Sequence, residues 1–261
     1  MALMQIGNVD LNVRQWGQGE PLVLIHGLGA NASLWVHQVR PFAERYRVIA
    51  LDLRGFGRSS KPPNAEDYSI ELMTDDVIGV CRELDLPAVH FLGVSMGGFI
   101  AQTIALKAPD LVRSVMLCHT GFELGIPEDV MSERLEALKK DSMDKYAGLV
   151  ASQALAQPAD PFVEEWLREM IADNELEPYV HVLAGALAVF DLTDRVHEIR
   201  CPAIVVSGSE DRVIPPEKGQ ALSESIEGSE YHLIDGVGHI GYAEKPEAFN
   251  RIILGFLSRQ D

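Results

Sequence analysis

The sequence predicts an α/β fold, a mostly parallel sheet flanked by helices, with a helical cap inserted after the run at 112–117. Three observations carry that expectation. A continuous apolar run at 22–25 has the character of a buried strand, and apolar runs recur at 48–51, 89–92, 112–117, 203–206 and 231–234. Helical patterns lie between and after them, at 32–44, 70–84, 96–108, 216–225 and 246–257. Between 121 and 196 the alternation stops: no strand-like run appears there, while helical periodicity is strong.

The chain opens with partial strand-like alternation at 9–16 and a turn at 17–19 before the first buried run. Inside the helical stretch, Phe162, Val163, Trp166, Leu167, Met170 and Ile171 form one apolar stripe, and Tyr179, Leu183 and Leu187 form another. The expected organisation is a core of residues 1–120 and 197–261 carrying a cap of residues 121–196. With 261 residues and 47% hydrophobic content, the chain can bury a sizeable core.

Charge excludes some function classes. The 22 basic residues against 39 acidic ones give a net charge of −17, a field that repels nucleic acid and anionic membrane surfaces. Neither is expected as a partner. The acids are dispersed in short pairs such as Asp75-Asp76, as on a solvated surface. Residues 1–11 lack the basic start and apolar run of a signal peptide, so the expected location is cytoplasmic. Cys81, Cys118 and Cys201 are odd in number and far apart, which fits buried thiols rather than a disulfide framework or a zinc site.

Gly93-Val94-Ser95-Met96-Gly97 joins the run at 89–92 to the helix starting at 96. A Gly-x-Ser-x-Gly string in that position is a sharp strand-to-helix turn, which holds the serine hydroxyl above the sheet and beside a helix N-terminus. Small flanking residues are needed there because the turn brings strand and helix backbones together. Ser95 is therefore the candidate nucleophile, and it sits where open α/β sheets bind ligands, at the strand ends.

A serine hydroxyl needs a base within hydrogen-bond reach and a third group to orient that base. Of the eight histidines, only His239 lies on a glycine-rich loop directly after the last strand-like run. The acid is expected at the preceding strand end, where Glu210 and Asp211 both occur.

These motifs together resemble the α/β-hydrolase superfamily over nearly the whole chain: His26-Gly27-Leu28-Gly29, Asp52-Leu53-Arg54-Gly55-Phe56-Gly57-Arg58-Ser59, the Ser95 turn, the acid loop, and Gly238-His239 followed by Glu244-Lys245-Pro246. Within it, the sequence is most similar to 3-oxoadipate enol-lactonase-like and small carboxylesterase members. The resemblance implies Asp211 rather than Glu210 as the acid, in the order Ser95, Asp211, His239. It also implies an eight-stranded sheet with the cap inserted after the sixth strand, and an oxyanion hole from the backbone N–H groups of Leu28 and Met96.

Other residues carry competing readings. His26 fits a brace for the oxyanion loop better than a second base, and Asp52 fits an ion-paired brace with Arg54 and Arg58. Glu123, after the strand at 112–117 and close to His119, is a reserve candidate for the acid. Phe122, Trp166, Phe190 and Ile240 are candidates to line the substrate pocket. The histidines have no metal-ligand spacing and the glycine-rich loops lack nucleotide fingerprints, so no cofactor and no metal are expected. The expected function is hydrolysis of a small-molecule carboxylic ester or lactone. Hydrolysis of a carbon–carbon bond in a ring-cleavage product, cofactor-free perhydrolysis and a ligand-binding receptor role stay open, as does the oligomeric state.

Overall fold

The computed structural model describes residues 3–125, 128–140 and 142–260. Its strands are β1 (Met4–Ile6), β2 (Val9–Leu11), β3 (Val13–Trp16), β4 (Glu20–Ile25), β5 (Tyr46–Leu51), β6 (Val89–Val94), β7 (Val112–Cys118), β8 (Ala203–Gly208) and β9 (Glu230–Ile234). Seven of them, rather than the expected eight, form the main sheet in the order β3-β5-β4-β6-β7-β8-β9. Only the β3–β5 pair is antiparallel.

The missing strand has a local cause. The segment 9–16 divides at Asn12: β2 pairs with β1 in a separate antiparallel hairpin, whereas β3 joins β5. At the division the Asn12 N–H donates to Ser59 Oγ at 2.9 Å and its side chain donates to Asp52 Oδ2 at 2.9 Å. Those two bonds take the chain out of one ladder before it enters the next.

The central strands are predominantly apolar because both faces are covered. Every residue of β6 and β8 is buried. Covering them are α2 (Ile70–Glu83), α3 (Met96–Lys107), α8 (Pro216–Ser225) and α10 (Pro246–Leu257). The expected helix at 32–44 is instead a 3₁₀ turn, Ala32–Trp35, followed by a short α1 (Val39–Ala43). Pro41 explains the break, since a helix running through it from 32 would lack the N–H to residue 37 and crowd that carbonyl.

The chain returns from β5 at one side of β4 to β6 at the other, so the strand order reverses around β4 and opens a crevice at the strand C-termini. Between β7 and β8 the described residues hold α4 (Glu128–Lys140), α5 (Met143–Ala154), α6 (Pro161–Ala172) and α7 (Leu176–His181), the last running into a π turn at Val182–Leu187. A single isolated bridge, Glu123 with Asp191, is the extended pairing described in this stretch.

These helices are tied to the loops of the sheet. His239 N–H donates to Ala154 O at 2.6 Å, Arg212 Nη2 donates to Leu155 O at 2.7 Å, and Asn174 Nδ2 donates to Gly29 O at 2.8 Å. Of the thiols, Cys81 and Cys118 are buried, but Cys201 is only half-buried, against expectation. It precedes Pro202 at the start of β8, beyond the covered centre of the sheet. Among the described residues no helix is long and apolar enough to cross a membrane.

Candidate active site

Four loops at the C-terminal edge of the sheet converge: Leu28 follows β4, Ser95 follows β6, Asp211 follows β8 and His239 follows β9. Parallel strands put all these ends on one side, so residues far apart in sequence meet there without further design.

Ser95 has φ 54° and ψ −120°, a backbone state that side chains rarely adopt. Close approach on both sides enforces it. A Cβ on Gly93 would run into the Gly97 carbonyl, and one on Gly97 would run into the carbonyl of Ile25 at the end of β4. The turn is further held by Ser95 N–H donating to Cys118 O at 2.9 Å and Thr120 Oγ1 donating to Ser95 O at 3.0 Å. Met96 opens α3, so its N–H points out of the helix without an intrahelical acceptor. No hydrogen bond among the described residues uses the Leu28 or Met96 N–H.

Asp211 is buried, and its two oxygens are engaged separately. Oδ1 accepts the N–H groups of Val213 and Ile214, each at 2.9 Å, while Oδ2 accepts His239 Nδ1 at 2.8 Å. Burial works to raise the Asp211 pKa, but the charge and hydrogen bond of His239, with His119 nearby, outweigh it and hold the carboxyl below the usual carboxylate range. The acid therefore stays ionised, and a charged acceptor at Nδ1 leaves Nε2 as the basic nitrogen of His239. The carboxylate bonded to His239 is that of Asp211, not Glu210, whose N–H donates to Val237 O at 2.9 Å.

Ser95 and His239 both line a cavity of about 330 Å³ with Leu28, Tyr146, Val150, Tyr179, Leu183, Leu187, Arg134 and Arg212. The lining is mainly apolar with a few polar groups, the pattern of a small-molecule site. The Ser95 hydroxyl makes no hydrogen bond to His239 here, and bonds of this kind commonly close only around substrate. A smaller recess behind it, about 60 Å³, is lined by Ser95, His239, Ile240, Leu167 and Ile171.

Of the four expected pocket residues, Ile240 lines that recess and the other three lie elsewhere. Phe190 stacks on Phe99 with ring centroids 4.3 Å apart, Trp166 packs half-buried against the core, and Phe122 borders a shallow outer groove with Lys218. The stripe of Tyr179, Leu183 and Leu187 instead faces the cavity. Helical periodicity marks an apolar face but does not say whether protein or empty space lies opposite it.

The supporting residues also differ in part. His26 is fully buried, with Nδ1 bonded to Gly27 O at 2.7 Å and Nε2 accepting Leu53 N–H at 3.0 Å, so it braces the loops after β4 and β5. Burial keeps its pKa low. Asp52 has no ion pair among the described residues. It accepts the N–H groups of Ala32 and Arg58 and the Asn12 amide, while Arg54 pairs with Asp76 through two bonds of 2.6 and 2.7 Å. Glu123 pairs with Lys218 at 3.2 Å and takes no part in the cluster. Potential metal-binding atoms of His119, Asp211 and His239 lie within 4.8 Å of one another, the one such cluster among the described residues.

Comparison with known proteins decides the family. The model of the α/β-hydrolase fold family matches residues 20–158. The chain is an α/β-hydrolase. It is 29% identical to 3-oxoadipate enol-lactonase 2 of Acinetobacter baylyi over 257 residues, covering 97% of this chain and 94% of that protein. It is 32% identical to a 2-hydroxy-6-oxononadienedioate/2-hydroxy-6-oxononatrienedioate hydrolase of Paraburkholderia xenovorans, covering 97% of this chain and 92% of that one. In three dimensions this α/β-hydrolase superposes on the enol-lactonase from Burkholderia xenovorans LB400 with a TM-score of 0.91 and 28% identity, covering 98% of this chain and 99% of that one.

Signals missed in the sequence were Tyr146 and Val150 on α5 and Arg212 beside the acid. Arg212 could have been suspected from its place after Asp211, but its bonds to the Ser152 and Leu155 carbonyls depend on where α5 ends.

Proposed function

We propose that this hydrolase cleaves a carboxylic ester or lactone of a small molecule, with Ser95 as nucleophile, His239 as general base and Asp211 as the acid that orients it. The observation that carries the reading is the Asp211–His239 bond beside a cavity that His239 shares with Ser95. In the reaction, Ser95 Oγ bonds to the acyl carbon as His239 takes its proton and the C–O bond breaks. The leaving oxygen takes that proton, and water then releases the acid by the same steps in reverse. The Leu28 and Met96 amides, free of other acceptors, are the donors for the oxyanion, each worth about 3 kcal/mol in the transition state. Residues 121–196 act as a cap, supplying the apolar wall from α5, α7 and the π turn.

Ser95→Ala assayed with short p-nitrophenyl esters tests this reading; hydrolysis as fast as in the parent protein would remove it. A panel of esters and lactones of rising acyl length, read as kcat/KM ratios, assigns the substrate class. A burst of acylation without sustained turnover would instead indicate a binding module.

The 32% identity to a hydrolase of ring-cleavage-type products supports a second reading, cleavage of a carbon–carbon bond by the same residues. A coloured dienone separates the two: its bleaching at a rate above ester turnover favours the second.

A further inference from the structure

His119 is the residue of this site whose chemistry remains unused. It follows β7 directly, between the loops that carry Ser95 and Asp211, and it is buried. Its φ of 50° lies in the left-handed region that residues with a side chain rarely adopt, and its N–H is fixed to Val206 O at 2.7 Å. Both of its ring nitrogens are buried without a hydrogen-bond partner. A strained backbone and two unsatisfied buried nitrogens are both costs to stability, and such costs cluster at functional positions.

The ring faces one thing in particular. His119 Nδ1 stands 3.4 Å from Asp211 Oδ2, the same oxygen that accepts His239 Nδ1 at 2.8 Å. Asp211 Oδ1 is already occupied by two backbone N–H groups, so both imidazoles address the one remaining oxygen. A bare nitrogen lone pair against a buried carboxylate oxygen would repel it, so the tautomer that fits is Nδ1–H. The opposite edge of the ring lies against Gly241, where an added Cβ would come within 3.0 Å of Nε2. Tyr242, in the short helix α9 (Gly241–Glu244), and the ring of His239 pack edge-on to it, at centroid distances of 6.1 and 5.9 Å.

We propose that His119 is a positioning residue, a second imidazole that fixes the Asp211 carboxylate and limits how much of its charge reaches His239. This rests on the triad reading above. Titratable groups facing the ring are Asp211 from the loop after β8, His239 from the loop after β9 and Tyr242 from α9. Burial holds the His119 pKa below the ordinary histidine value, which favours the neutral ring. An uncharged N–H beside Oδ2 takes a share of the carboxylate charge. Without it the full charge faces His239 and favours its cation, so the basic form of His239 appears only at higher pH.

The test uses His119→Phe, which fills the space without a donor, and His119→Asn, which keeps a donor and tolerates a positive φ. For ester hydrolysis by the intact protein, His119→Phe is expected to move the acid limb of kcat/KM alkaline by roughly half a pH unit. It should also lower kcat by about three- to tenfold with KM within twofold, and His119→Asn should recover part of both. Because a variant that folds poorly would lose activity for that reason alone, the titration of the His239 ring protons is also followed by NMR in Ser95→Ala and in Ser95→Ala with His119→Phe. The inference expects different midpoints. Unmoved limb and midpoint overturn it, as does a fall in kcat that tracks lost melting temperature with the limb in place. Activity surviving in Ser95→Ala would strike the triad reading instead, so the two failures are distinguishable.

Discussion

Asp211 Oδ2 accepts a hydrogen bond from His239 Nδ1 at 2.8 Å, across 28 residues of sequence and between two neighbouring strand ends. Since the carboxylate is buried and its other oxygen is held by Val213 and Ile214, its position does not depend on His239. Asp211→Asn would keep the shape and offer His239 an amide in place of a charge. Expected is a fall in kcat for ester hydrolysis of about 10³- to 10⁴-fold, with the melting temperature close to that of the parent protein. A loss below tenfold would mean that another group orients the base.

The Arg54–Asp76 pair tests stability away from the chemistry. Both side chains are only 4% exposed, and the pair links the loop after β5 to α2. Burial raises the Asp76 pKa while Arg54 opposes it, so the carboxylate depends on its partner. Asp76→Ala leaves a buried guanidinium unpaired and should cost about 3–5 kcal/mol, read from urea unfolding. Arg54→Met with Asp76→Leu together should recover much of that loss.

Folding stability should fall as pH drops below 6.5, the ordinary histidine value. His26 and His119 are both held below it, chiefly by burial, so between the unfolded and folded values the unfolded chain binds more protons. Stability then rises with pH, by up to about 1.4 kcal/mol per unit for each group. Asp211, held low in the fold, adds a loss of the same sign that begins only near its unfolded value of 3.8. Glu244, raised by burial, works in the opposite sense above 4.5. Urea midpoints at pH 7.5, 6.5 and 5.5 check this; a flat series would mean that both histidines protonate in the folded chain.

Val150 lines both the main cavity and the recess behind it. Val150→Trp should fill the space next to Ser95 and discriminate by acyl length: kcat/KM for an octanoyl ester should drop at least tenfold more than for an acetyl ester. Equal losses would place the acyl chain elsewhere.

The sequence by itself determined the layers of the fold and the local turn chemistry. Apolar runs named the strands of the parallel sheet because its central strands are covered on both faces. Gly93 and Gly97 around Ser95 are read locally, since a strained turn needs small neighbours within a few residues. His239 and Asp211 were legible as loop residues after strands, because parallel topology puts all such loops on one edge.

Tertiary structure decided what depends on contacts between distant segments. The division of 9–16 between two sheets was hidden because alternation does not name a strand's partner. The cavity wall was hidden for a similar reason: Phe190 and Tyr179 are both aromatic residues of the same helical stretch, yet one stacks on Phe99 and the other lines the cavity. Asp52 was expected to pair with neighbouring arginines, but Arg54 reaches Asp76, 22 residues away, because α2 brings that carboxylate to it in the buried layer. His119 shows the limit most plainly. The carboxylate near it in sequence is Glu123, and only the packing of β7 beside β8 brings His119 to Asp211 instead.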